Sequence, residues 1–128
     1  MAETYKNRAK RLGREAGEAA AMAWATENVL DASYRDYIEY AVRVLHGIKH
    51  DDETITEQMP WCDLSGEFAD ALTGQNVISN IKGTTDSGPL GRDGDMEYDV
   101  QLLDWYEEAY NNAVRKTVKK LLVDFLDI

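Results

Sequence analysis

The sequence predicts an all-α or mainly α fold: three to four helices with a long C-terminal helix, one Gly-rich loop and at most a short strand pair. Three observations carry that expectation. Apolar residues recur at three- and four-residue spacing in several segments, the period of a helix with one buried face. From Glu97 to about Asp127 there is neither Gly nor Pro. The helix breakers gather instead at Pro60, Gly74 and residues 83–95. A chain of 128 residues suits one domain, 1–128, because about two thirds of the unfolded surface can be buried at this size.

Residues 3–25 read as the first helix, with Tyr5, Ala9, Leu12, Ala16, Ala19, Ala20 and Ala23 on one stripe. A stripe this rich in alanine lets another backbone approach closely but buries little area. Gly13 and Gly17 each cost about 1 kcal/mol relative to Ala in a helix interior, so this helix needs a partner. The second helix begins near Ser33, whose spacing to Asp36 resembles a capping box. Tyr34, Tyr37, Ile38, Ala41, Leu45 and Ile48 form its expected buried stripe, and Gly47 followed by Lys49, His50, Asp51 and Asp52 marks its end.

An acidic connector, Asp51 to Met59, follows, in which Thr54 and Glu57 have the spacing to cap a short turn. Pro60 then stops any continuous helix. Leu64, Phe68, Ala71 and Leu72 suggest a short third helix ending at Gly74. Val77, Ile78 and Ile81 fit either a further helical turn or a short strand. Residues 83–95, with four Gly and one Pro, form the expected long loop. The last helix, Glu97 to about Asp127, is the clearest element. Its broad apolar face comprises Leu103, Tyr106, Tyr110, Ala113, Val114, Thr117, Val118, Leu121 and Phe125, and about 29 such residues span roughly 43 Å.

Charge is distributed unevenly along these elements. The net charge is −10, yet residues 51–108 hold 15 acids against only Lys82 and Arg92, while residues 1–20 and 109–128 are each +2. Acidity of this degree disfavours direct binding to nucleic acid or an anionic membrane and favours basic partners. On the last helix the signs are sorted: Asp99, Asp104, Glu107 and Glu108 precede Arg115, Lys116, Lys119 and Lys120. That order suits the helix dipole at the ends. It also creates like-charged pairs four apart, each costing about 0.2–0.5 kcal/mol. Two explanations follow. Either the basic first helix neutralises the acidic half of the last, or two copies pair antiparallel as a homodimer through the C-terminal helix, with Trp105 and Leu102 as contacts.

Little points to catalysis or to a resident cofactor. Asp93, Asp95, Glu97 and Asp99 alternate as calcium-loop ligands do, but Tyr98 stands where the loop needs Gly. His46 and His50 are four apart and could share a metal on one helical face, a geometry that Gly47 and the nearby helix end weaken. Cys62 could add a third ligand, though nothing in the sequence brings it near. No nucleophile elbow, phosphate-binding glycine loop or Cys–His spacing occurs, so the chain reads as a non-enzyme with neither metal nor cofactor. Trp61 reads as a core residue or an interface anchor. The lone Cys62, a polar N-terminus and the lack of a long apolar run suggest a soluble cytoplasmic protein.

The run from Trp61 through Cys62, Asp63, Leu64, Ser65, Gly66, Glu67, Phe68 and Ala69 to Asp70, in a small acidic helical chain with a Tyr-rich last helix, resembles accessory proteins of phages and mobile elements. Anti-CRISPR and anti-restriction proteins belong to that group. The resemblance implies an inhibitor of a bacterial defence complex, working by steric occlusion or DNA mimicry in a host cytoplasm. The expected partner is a basic, nucleic-acid-binding effector, met through Asp51, Asp52, Glu53, Glu57, Asp63, Glu67, Asp70, Asp104, Glu107 and Glu108. The competing expectation is a helical structural or adaptor protein that assembles with itself or a host protein. A third reading takes the acidity as adaptation to a salty cytoplasm; seven Lys among the 14 bases weigh against it.

Overall fold

A computed structural model describes residues 4–28, 34–64, 71–82 and 96–126. Five helices occupy them: α1 (Tyr5–Asn28), α2 (Tyr34–Lys49), α3 (Glu53–Thr56), α4 (Ala71–Lys82) and α5 (Met96–Leu126). Among the described residues there is no strand, so the all-α expectation holds. The long C-terminal helix is present, and its 31 residues span about 46 Å. No helix among the described residues is long and apolar enough to cross a membrane.

The frame is the pairing of α1 with α5, the most extensive contact between helices. Thr4 starts α1 by accepting the Asn7 N–H on its hydroxyl at 3.1 Å, an N-cap that satisfies one of the first-turn donors. The buried residues of α1 are Ala9, Gly13, Gly17, Ala21 and Ala25, one small residue every fourth position. A Cβ at Gly13 would stand 2.3 Å from the Tyr106 carbonyl oxygen, and one at Gly17 2.3 Å from that of Tyr110. Backbone therefore meets backbone. Both sides of this register advance by four, so α1 and α5 run parallel.

This corrects the face expected for α1. Ala19 and Ala23 are exposed, and Ala16, Ala20 and Leu12 only partly covered. A hydrophobicity stripe favours alanine over glycine; the close contact selects the smallest residues instead. The glycines that looked like a liability are the contact itself.

Two core clusters lie at either end of this pair. Ala21 packs with Ala41, Val44, Leu45 and Ile48 of α2, Met59, and Val114, Val118 and Leu122 of α5. Ala9 packs with Val77, Ile78 and Ile81 of α4 and Leu102 and Leu103 of α5. Arg8 ties the second cluster by donating to the Ile81 carbonyl at 3.1 Å, meeting an acceptor that the end of α4 leaves unpaired.

Several sequence expectations change. On α2, Ala41, Leu45 and Ile48 are buried as expected, but Val44 joins them fully buried and Ile38 is exposed. Gly74 does not end a helix. It lies inside α4, which carries Val77, Ile78 and Ile81 as helix rather than strand. On α5, Phe125 is exposed, whereas Leu102 and Leu122 are fully buried. Leu102 is thus a core residue, unavailable as a dimer contact. Trp105 is half-buried beside the second cluster, with the Lys6 ammonium 5.0 Å from its ring centroid. The Ser33–Asp36 capping box and loop 83–95, with Asp93 and Asp95, lie outside the described residues and side chains.

The glycines give a sharp test. Gly13→Ala and Gly17→Ala force a methyl into backbone, so each should destabilise by about 1–3 kcal/mol, the usual cost of overpacking. Among the described residues, a Cβ at Gly74 meets Leu103 Cδ1 at an ordinary 3.6 Å. Gly74→Ala should therefore stabilise by roughly 0.5–1 kcal/mol through helix propensity. Urea midpoints of the three variants check both signs.

Candidate functional site

The carboxylates at the end of α2 sit on a tightly organised corner. His50 N–H still reaches the His46 carbonyl at 3.0 Å, and Asp52 N–H returns to the Gly47 carbonyl at 2.9 Å. That second bond is the six-to-one closure of a Schellman cap. Its left-handed position falls on Asp51, at φ 51°. Arg115 of α5 donates to the Ile48 carbonyl at 2.9 Å and pairs with the Asp51 carboxylate. One guanidinium thereby satisfies a free carbonyl of α2 and a charge on its cap.

Asp52, rather than Thr54, caps the short helix that follows. Its carboxylate accepts the Thr54 N–H at 3.1 Å and the Thr54 hydroxyl at 2.6 Å. The side-chain bond from Thr54 is the main cause that lowers the Asp52 pKa; burial opposes it, and the Thr54 amide, His46 and Arg43 add smaller lowering effects. Gly47 lets α3 approach α2, since a Cβ there would lie 2.9 Å from Ile55 Cβ. Trp61 is neither wholly core nor free surface: its indole N–H donates to the Thr56 carbonyl at 2.7 Å, and the residue remains 37% exposed.

Beyond Pro60 the chain runs back along α5, held by side chains. Asn111 accepts the Cys62 N–H at 2.8 Å and donates to the Cys62 carbonyl at 3.0 Å. Glu107 accepts the Leu64 N–H at 2.6 Å. An extended segment without a strand partner thus finds its hydrogen bonds on a helix, as its backbone polar groups require. The half-buried Cys62 thiol is pushed up to about 11, chiefly by burial and then by the charges of Glu107 and Asp63. Burial likewise raises the Tyr106 and Tyr110 phenols.

The ten carboxylates expected to form one surface divide into groups. Asp51, Asp52 and Glu107 have the structural duties just described. Glu53 and Glu57 are exposed at the two ends of α3, and Asp63 is exposed on the strap. Asp104 and Glu108 are exposed on α5. Glu108 lines a groove of about 290 Å³ between α1 and α5, together with Lys10, Arg14, Glu18, Trp105 and Lys116. The structure therefore brings the basic first half of α1 alongside the acidic first half of α5. Glu67 and Asp70 lie outside the described residues.

Sequence reasoning missed Asn111 and the second role of Arg115. The available signal was the Asn111–Asn112 pair midway along the strongest helix, where asparagine has poor propensity. Among the described residues no group of three or more His, Cys, Asp or Glu is placed to hold a metal. No protein-family model matches the chain, and neither a curated protein nor a solved structure shows significant similarity to it.

Two outcomes follow from this geometry. Asp51→Gly relieves the left-handed backbone and loses only an exposed ion pair worth about 0.2–1 kcal/mol, so it should be close to neutral. Asp51→Ala loses the pair and keeps the strain, and should be about 1–2 kcal/mol less stable than the glycine variant; thermal melts of the two compare them. The raised Cys62 pKa predicts slow alkylation, because the thiolate is the nucleophile. Below pH 9, native protein should react with iodoacetamide on the order of a hundredfold more slowly than urea-unfolded protein, as mass spectrometry would measure.

Proposed function

We propose that this chain is a non-enzymatic acidic inhibitor that docks on the basic, nucleic-acid-binding surface of another protein. It would act in the manner of anti-CRISPR and anti-restriction proteins and in a bacterial host cytoplasm. The observation that carries the reading is the corner from Asp51 to Asp63, which holds five carboxylates and no base. Glu53 and Glu57 there are exposed and have no structural duty comparable to that of Asp51 or Asp52. Carboxylates fixed on a short helix present a basic groove with negative charge at set positions, as phosphates do. Such a surface accelerates encounter and makes binding salt-dependent.

Part of the acidity expected to meet a partner is engaged internally, so the contact narrows to Glu53 and Glu57, with Asp104 a lateral extension. The alternative, a helical adaptor that assembles with itself or a host protein, draws on the exposure of Ile38 and Val42, one turn apart on α2. Tagged protein incubated at low salt with lysate from a bacterium carrying such defences should retain a basic nucleic-acid-binding complex and release it as salt rises. Glu53→Gln with Glu57→Gln should weaken retention about tenfold or more without changing the melting temperature. Retention that ignores both salt and this double change would overturn the reading.

A further inference from the structure

We propose that His46 and His50 form a bidentate site for a late divalent transition-metal ion, with water completing the coordination. In the sequence, Gly47 and the helix end between the two residues count against this pair. The structure removes that objection. Helix α2 continues through Lys49, and the His50 N–H keeps its bond to the His46 carbonyl at 3.0 Å. Gly47 is accommodated as the point where Ile55 packs, not as a break. The two residues therefore keep the one-turn spacing at which helical side chains share a face.

Their rings lie with centroids 4.3 Å apart at an interplanar angle of 42°, and both residues are exposed. Modest side-chain rotation brings one nitrogen of each to a shared ion at about 2.0–2.1 Å. Imidazole pairs of this kind suit Zn²⁺, Ni²⁺ and Cu²⁺ rather than Ca²⁺ or Mg²⁺, which prefer oxygen. Arg43 and Lys49 oppose a cation and Arg115 offsets Asp51, but Asp52, Glu53 and Glu57 still outnumber Arg43 and Lys49 just beyond the helix end. Since the described residues supply two protein ligands here, the bound ion keeps open positions, where a group from another molecule can coordinate.

Calorimetric titration of the full chain with ZnCl₂, and separately NiCl₂, in a non-chelating buffer tests the site. One ion should bind per chain. His46→Ala or His50→Ala should weaken binding roughly a hundredfold, because the second ligand acts at high effective concentration once the first is bound. Both rings are exposed, so the metal-free variants should keep the wild-type melting temperature and helical circular dichroism. Cys62→Ser should leave the affinity unchanged. Absence of binding at millimolar metal, unchanged affinity in the double histidine variant, or loss of binding in Cys62→Ser would each overturn the proposal.

Discussion

The structure depends on the close approach of α1 to α5 at Gly13 and Gly17. Neither helix is self-sufficient. α1 carries two glycines that weaken it and buries no side chain larger than alanine. Its larger residues Leu12 and Trp24 are only partly buried against the two clusters, so the helix relies chiefly on dense packing along the small-residue row. Dispersion is short-ranged, and a gap of about half an ångström to one ångström forfeits a quarter to a half of it. Contact along the row is therefore sensitive to small gaps, and the two core clusters, which share α1 and α5, are connected through it.

That register also gives the charges a reason. α1 runs from basic to acidic, from Lys6, Arg8, Lys10, Arg11 and Arg14 to Glu15, Glu18 and Glu27, against the preference of its own dipole. α5 runs from acidic to basic. In an antiparallel pair these gradients would set like against like. In the parallel pair they oppose correctly, which is how Arg14, Glu108, Glu18 and Lys116 come to share one groove. α1 carries an unfavourable internal order that its neighbour offsets. The net charge of −10 thus overstates what the surface offers a partner.

The extent of α5 and the all-α class were legible because they rest on local signals: period, breakers and the run without Gly or Pro. Five helices stand where three to four were expected, since the four-residue α3 is too short to show a period. What was not legible is relational. Nothing local distinguishes Gly74, tolerated inside α4, from a glycine that ends a helix; the difference is that Val77, Ile78 and Ile81 beyond it have α1 and α5 to pack on. Ala19 and Gly17 likewise reverse their expected roles because backbone proximity, not hydrophobicity, decides that face. At the candidate site the acidic corner could be read from composition. The division between Asp51, engaged with Arg115, and Glu53, engaged with solvent, required knowing what lies opposite.

The order of charge along the middle of α5 follows from the same principle. Its sequence places doublets every four residues: Glu107–Glu108, Asn111–Asn112, Arg115–Lys116 and Lys119–Lys120. One member of each of the first three forms a row facing the chain between α2 and Leu64, and the demands of that chain order the row. The Leu64 N–H needs an acceptor and meets Glu107; the Cys62 peptide needs both functions and meets the Asn111 amide; the Ile48 carbonyl needs a donor and meets Arg115. The sister row, Glu108, Asn112 and Lys116, lines the groove with α1. Interleaved signs would make a better isolated helix, by a few tenths of a kcal/mol per pair. They would put a cation against an N–H or a carboxylate against a carbonyl, and leaving one such part-buried group unsatisfied costs up to about 1–3 kcal/mol. An unsatisfied backbone group outweighs a like-charged pair, so the order acid, amide, base at Glu107, Asn111 and Arg115 follows from what the helix must bind within its own chain.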